Sequence, residues 1–392
     1  MQGASITGLI SGVTRVPIDG DMAAWARKRC HLEIDDAANL LKCDAALLQQ
    51  IETGAQQPTA GLFRAMAERY MLPEATLLGL APAEDRPLPK DFRSFEGAPV
   101  RLSYQTIKAV RVVQARQEAL ARLAEIDESI KPPTLPSISL SSDPEVEGAK
   151  YRRTFGFDVP TQLATPPQTA FVRWRTMVEH LGVSVYVEPL GDDTSRGVSD
   201  NFNGFPAIII DQREKLHGAR LFTLFHELAH HFVGQVGISN LKNANGVERF
   251  CNRFAAAFLM PPNAVALVLP NAGPGKPAPT IEDLDRAARR LSVTISQMAL
   301  RMEDLGYAGA GYYKNVKAAL GVSKKSGGPE YRYTYLSQYG DHLPRRVLGA
   351  LDAGLISTVE AARAMNTSPA HFDDIRRTLM ERHPEPVDGR GR

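Results

Sequence analysis

A chain of 392 residues exceeds one ordinary domain, and two or three domains are expected. With 43% hydrophobic residues, 23% charged residues and a net charge of +2, the composition is that of a globular protein. It excludes a surface wholly built for nucleic acid, though it leaves room for a local basic patch. Cys30, Cys43 and Cys251 make no disulfide framework and suit a reducing compartment. No apolar run approaches the ~20 residues that span a bilayer, and residues 1–20 lack the cationic start and apolar stretch of a secretory signal. The expected location is cytoplasmic, with no membrane association.

In chain order, residues 21–80 predict five short helices with tight turns. Residues 21–30 are amphipathic around Met22, Trp25 and Ala26, and 32–43 carry Ile34, Ala37, Ala38 and Leu41 at helical spacing. Asp44 is a suitable N-cap for a third helix that Gly54 stops. Helices over 58–70 and 73–80 follow, then a proline-rich linker at 82–99.

Residues 102–130 predict a long helix closed by Lys131-Pro132-Pro133, followed by a Ser/Pro-rich connector and a helix at 144–155. From residue 165 the texture changes. A helix at 170–181 precedes an alternating strand at 183–187. A polar turn is expected at 200–203, before an apolar strand at 205–211 that contains Ile208, Ile209 and Ile210. Helices are expected at 212–233 and 247–260, the second stopped by Pro261-Pro262. Helices return after a Pro/Gly-rich loop at 270–279. Residues 323–328 read as a flexible joint, 331–383 as mostly helical, and the tail from 384 as disordered.

The sharpest chemical motif is Phe225-His226-Glu227-Leu228-Ala229-His230-His231. Positions four apart share one face of a helix, so His226 and His230 point the same way. Two neutral imidazoles so held bind a tetrahedral Zn2+ with space for a third protein ligand and a water. Glu227 is near enough to reach that water without ligating. It would take the water's proton and deliver it to a leaving amine. The following helix offers Glu248 in its first turn as a carboxylate ligand. Asn252, one turn later, would orient that carboxylate, and the small residues Ala255, Ala256 and Ala257 would allow close approach of the two helices. The bland reading of Glu248 is an acid favoured by the helix dipole. His231 points about 100° away and is expected beside the ligands or at the surface. Cys251 reads as a small buried hydrophobe, with a thiol facing the metal as the alternative. The strand at 205–211 reads equally as a site of substrate strand addition or as a plain buried strand. Tyr186, Tyr312, Tyr313, Tyr331, Tyr333 and Tyr335 all remain open as oxyanion stabilisers.

These residues resemble the ImmA/IrrE-type metallopeptidases, whose hallmark is a histidine-glutamate zinc helix followed by a Glu-x-x-Ala-Asn-x-Phe-Ala…Leu-Met-Pro helix. Here Glu248-Arg249-Phe250-Cys251-Asn252-Arg253-Phe254-Ala255 through Leu259-Met260-Pro261 carries that pattern, with Cys251 in place of the usual alanine. The resemblance is strong over about residues 165–265. It aligns Glu248 with the family's third ligand and implies a minimal gluzincin-like peptidase with one zinc per chain. It further implies a protein substrate of the helix-turn-helix class, a repressor or antitoxin, in stress, phage or mobile-element regulation.

Residues 21–80 resemble an XRE-type helix-turn-helix, the family of Cro and phage repressors. The matching residues are Ala37-Ala38…Leu41, Leu47-Leu48 and Ile51-Glu52-Thr53-Gly54…Pro58. That resemblance implies a helix from Asp44 entering the major groove, with Asp44, Ala45, Ala46, Gln49 and Gln50 toward the bases. Between residues 19 and 80, however, six basic residues face nine acidic ones, a net of −3. Duplex affinity comes mostly from Lys and Arg neutralising phosphates, which leaves Gln49 and Gln50 as the base readers. DNA binding and a protein-interaction module both stay open. Residues 280–302 and 356–375 also have helix-turn-helix texture, for which packing or partner sensing is the expected use.

The expected fold is α+β and predominantly α. Its parts are a five-helix XRE-like domain at 19–81, a linker and long helix at 82–160, a zinc peptidase domain with a small sheet at 161–305, and a helical C-terminal region at 306–392. The expected function is a zinc-dependent endopeptidase. The alternative is a DNA-binding transcriptional regulator whose peptidase fold is vestigial or senses metal.

Overall fold

The computed structural model describes residues 14–80, 86–91, 102–191, 195–239, 246–320 and 335–383. The linker at 82–99, the joint at 323–328 and the tail from 384 lie wholly or mainly outside them. The chain forms two compact units, Met1–Leu88 with Arg101–Arg111, and Pro89–Val100 with Val112–Arg392. Among the described residues no helix is long and apolar enough to cross a membrane.

The first unit holds α1 (Gly20–Arg29), α2 (Ile34–Leu41), α3 (Ala45–Glu52), α4 (Ala60–Arg69) and α5 (Glu74–Leu77). Asp19, Asp44 and Thr59 cap the starts of α1, α3 and α4 by accepting backbone N–H groups that have no partner within the helix. Ala23, Ala26, Ala38, Leu41, Leu48, Ile51, Phe63 and Met66 fill the core. A Cβ on Gly20 would lie 2.5 Å from the carbonyl oxygen of Glu52, so only glycine lets α1 begin there. Arg27 then locks α1 to α3 with a two-pronged pair to Glu52, 2.7 Å from Nε to Oε1 and 2.9 Å from Nη2 to Oε2.

The second unit begins with β1 (Lys90–Asp91). The division between the units falls inside α6 (Tyr104–Ile126). Next come α7 (Pro144–Thr154), α8 (Val159–Ala164), α9 (Pro167–His180), β2 (Ser184–Glu188), β3 (Gly197–Phe202), β4 (Phe205–Asp211), α10 (His217–Phe232), β5 (Gly237–Ser239) and α11 (Gly246–Leu259). The remaining helices are α12 (Pro262–Val268), α13 (Ile281–Leu291), α14 (Ile295–Asp304), α15 (Tyr312–Leu320), α16 (Tyr335–Tyr339), α17 (His342–Asp352), α18 (Thr358–Met365) and α19 (Phe372–Arg382). The protein is α+β and mostly helical.

The described sheet has the order β1-β5-β3-β4-β2. Three sequence expectations change here. Residues 200–202, expected in a polar turn, belong to β3. The turn proper is Asn203-Gly204, both at positive φ (48° and 82°), joining β3 to β4 in a two-residue hairpin. Strand β3 tolerates polar residues because its side chains serve its neighbours: Ser199 Oγ accepts the Gly237 N–H of β5 at 3.1 Å. Strand β4 lies between β3 and β2, so both its edges are paired and it cannot receive a substrate strand. Helix α10 begins at His217 rather than 212, because the buried Asp211 side chain accepts the N–H groups of Leu190 and Arg213 and holds the preceding residues as a loop.

The outer edge of β2 is sealed by side chains instead of a strand. Arg175 Nη2 donates to the Val185 carbonyl, and Glu179 accepts the Val185 N–H. The same pair reaches the C-terminal helices: Arg175 Nη1 donates to the Ser337 carbonyl at 2.7 Å, and Glu179 Oε2 accepts the Asp341 N–H at 3.0 Å. Helices α16 to α19 bury Leu336, Leu343, Val347, Met365 and Phe372 with Leu120 and Leu123 of α6. Replacing Arg175 with Ala strands a buried carboxylate and frees four backbone carbonyls, those of Val185, Leu336, Ser337 and Gln338. We predict a loss of ~3–5 kcal/mol in urea denaturation; a loss below ~1 kcal/mol would show that the pair is not what anchors these helices.

Candidate metal centre

Helices α10 and α11 meet through aromatic packing. Phe225 stacks on Phe258 with ring centroids 4.2 Å apart, and Phe157 meets Phe225 edge-on at 5.7 Å. Of the small residues on α11, Ala257 serves α7: a Cβ on Gly148 would lie 2.9 Å from its methyl group.

This packing brings His226, His230 and Glu248 together, each fully buried, with one ligand atom from each within 4.8 Å of the others. Nε2 of His226 lies 3.2 Å from Glu248 Oε2, Nε2 of His230 lies 3.4 Å from Oε1, and the two Nε2 atoms are 3.1 Å apart. The other ring nitrogen of His230 faces the Gln235 carbonyl at 2.8 Å. A carbonyl only accepts, so Nδ1 carries a proton and Nε2 is the nitrogen turned to Glu248 and available to a metal. Asn252 lies against His226. Cys251 is buried, with its thiol bonded to His230, so it borders the cluster and is more than inert filling.

The electrostatics favour a cation. Burial pulls His230 down, but Cys251, Glu248 and Glu227 outweigh it and hold the imidazole well above its usual range. For Glu248, burial works upward and is outweighed by His226 and His230, which keep the carboxylate ionised. Two nitrogens and one carboxylate oxygen, dry and convergent from two helices, form a donor set suited to Zn2+ with one position left open.

A neighbouring face of α10, about 100° round the helix from the ligands, meets the sheet. Glu227 packs its carboxylate directly over Gly197 of β3, where a Cβ would collide with it. His231, one turn on, donates from Nε2 to the Ala207 carbonyl of β4 at 3.0 Å, and burial pushes it down to about 4. This neutral imidazole pins the helix to the sheet, so it belongs neither to the surface nor beside the ligands. Sequence reasoning missed Gly197; the Asn-Gly turn six residues later was the one signal that would have placed it in a strand.

Of the tyrosines left open as oxyanion stabilisers, the four described ones are engaged elsewhere. Tyr186 lies against the Arg116 guanidinium at 5.1 Å, Tyr312 donates to the Pro279 carbonyl, and Tyr335 donates to the Met365 carbonyl. Tyr313 packs on the hydrophobic core. Tyr331 and Tyr333 lie outside the described residues. In the first unit, Gln49 and Gln50 are exposed on α3, whereas the Asp44 carboxylate is occupied in capping the Ala46 N–H at 2.7 Å.

Residues 178–303 match the family model of the IrrE N-terminal-like domain, a peptidase family, and residues 20–78 match that of a helix-turn-helix domain. No curated protein matches the chain.

Two outcomes follow from this geometry. Purified protein should carry about one zinc per chain, and Glu248→Ala should lose most of it by elemental analysis. Full occupancy in that variant would remove Glu248 from the ligand set. Gly197→Ala should retain zinc but cost ~1–3 kcal/mol in denaturation, because the new methyl group displaces the Glu227 carboxylate.

Proposed function

For a chain of the ImmA/IrrE type with an N-terminal helix-turn-helix domain, we propose a zinc-dependent endopeptidase. It hydrolyses a peptide bond in a partner protein, a repressor or antitoxin of the helix-turn-helix class, in stress, phage or mobile-element regulation. The observation that carries this reading is the convergence of His226, His230 and Glu248, with Glu227 one residue from a ligand on the same helix. A metal site used only for structure or sensing has no need of that second carboxylate.

Zinc bound by these three side chains supplies a Lewis acid that polarises the scissile carbonyl and acidifies the attacking water. The remaining work belongs to the chain. Glu227 accepts the water's proton on its carboxylate and passes it to the leaving amine nitrogen. Gly197 leaves the space in which that carboxylate sits, and the Gln235 carbonyl holds His230 in its ligating tautomer. All four functional side chains are fully buried in this conformation, so a polypeptide reaches them only after the covering chain moves aside.

Glu227→Gln preserves size and polarity but removes the base. Coexpressed with its partner, the variant should cleave at least ~10²-fold more slowly than wild type while keeping its zinc. Cleavage at the wild-type rate would defeat the protease reading.

A second reading, a DNA-binding regulator, rests on the exposed pair Gln49 and Gln50 on α3 within the helix-turn-helix domain. A gel shift at low salt that Gln50→Ala weakens would support it. No shift at all would leave the domain, with its excess of acidic residues, as a protein-interaction module.

A further inference from the structure

A cavity of about 230 Å³, lined by none of the metal-centre residues, opens between the C-terminal end of α9, the first turns of α17 and the end of α19. His180, Asp341, His342, Arg345, Arg346 and His383 are on its wall. We propose that this pocket binds a phosphate-bearing small molecule, gripped by Arg345 and Arg346.

The argument starts from charge. The two acids at the pocket are already committed. Asp341 accepts from Arg382 Nη1 at 2.6 Å and faces His383 Nε2 at 3.1 Å. Glu179 is held by Arg175 at 3.3 Å and by the Asp341 N–H at 3.0 Å. Arg345 and Arg346 are exposed and make no hydrogen bond or close ion pair with a described residue, and the nearest acid to act on either is Asp127, which feels Arg346 from a distance. Among the described residues the pocket therefore keeps two guanidinium groups that no acid holds in a close ion pair.

Their position sharpens the point. Helix α17 has no acidic residue in its first turn, and its N-cap, Asp341, makes no side-chain capping bond because its carboxylate is turned to Arg382 and His383. Cations near a helix N-terminus oppose the helix dipole, and uncapped N–H groups there favour an anion. Basic side chains so placed, with no described acid in a close ion pair with them, are unfavourable beside the helix N-terminus and become favourable once an anion arrives.

Phosphate suits the donors better than a lone carboxylate does. Two guanidinium forks present several N–H groups, and phosphate offers three acceptor oxygens and up to two charges. The volume is that of several waters, which leaves room for a substituent beside the phosphate group. Because the wall joins α9 to α17 and α19, occupancy would tie the C-terminal helices to the rest of the unit, and the ligand would raise thermal stability.

The test uses the full chain, titrated calorimetrically with pyrophosphate and with ATP, in wild type and in the double variant Arg345→Ala/Arg346→Ala. Both positions are exposed, and circular dichroism checks that the variant folds. Wild type should bind at least one probe, with a raised melting temperature, and the double variant should bind at least tenfold more weakly. ATP binding well above pyrophosphate would assign recognition to the substituent as well. Equal binding would assign it to the phosphate groups alone. The proposal is overturned if neither probe binds wild type, or if the double variant binds both undiminished.

Discussion

The structure turns on one buried carboxylate set between two imidazoles. Glu248 is ionised although fully buried, a condition a protein sustains only when positive charge or strong donors surround the group. His226 and His230 supply those donors, and their i,i+4 spacing lets one helix deliver both. The cost of that arrangement is met by packing. Phe225 against Phe258 and Phe157 against Phe225 hold α10 and α11 at the separation the three ligand atoms require. A looser contact would leave an unpaired buried charge.

The sheet serves the same helix from behind. Glu227 and His231 share the face of α10 that the ligands do not use, and each finds one strand: Glu227 the bare backbone of Gly197, His231 the carbonyl of Ala207. These contacts set the rotation of the helix about its axis. They decide that the two histidines face α11 while the glutamate stays close by and off the ligand set. The outer edge of β2 would otherwise expose unpaired backbone groups. Arg175 and Glu179 close it with side chains and recruit the C-terminal helices in doing so. Burial outweighs their ion pair and pushes Glu179 up to about 7, which marks how dry this junction is.

The first unit shows the limits of family likeness as a guide to use. Its five helices, caps and core are those of a helix-turn-helix domain. Yet α3 carries no basic residue and spends Asp44 on its own cap, so what it offers to a groove or a partner is a pair of glutamines on an acidic domain.

Local rules made much of this legible without coordinates. Helical spacing, N-caps and the histidine-glutamate motif depend on residues within a few positions of each other, and they placed the helices of the first unit, His226, Glu227 and His230. The first turn of the following helix offered Glu248, and the family likeness aligned it with the third ligand. What the sequence left open depended on contacts between distant segments. β3 is too polar to read as a strand until β4 and β5 are known to flank it. The strand at 205–211 has the same composition whether it lies at an edge or in the interior. His231 looks like a surface residue until Ala207, 24 positions away, is brought to it. Cys251 at the edge of the ligand cluster, the sealing of β2 by Arg175 and Glu179, and the gathering of Arg345 and Arg346 at one pocket are likewise products of tertiary packing, because burial and charge pairing are properties of neighbours in space.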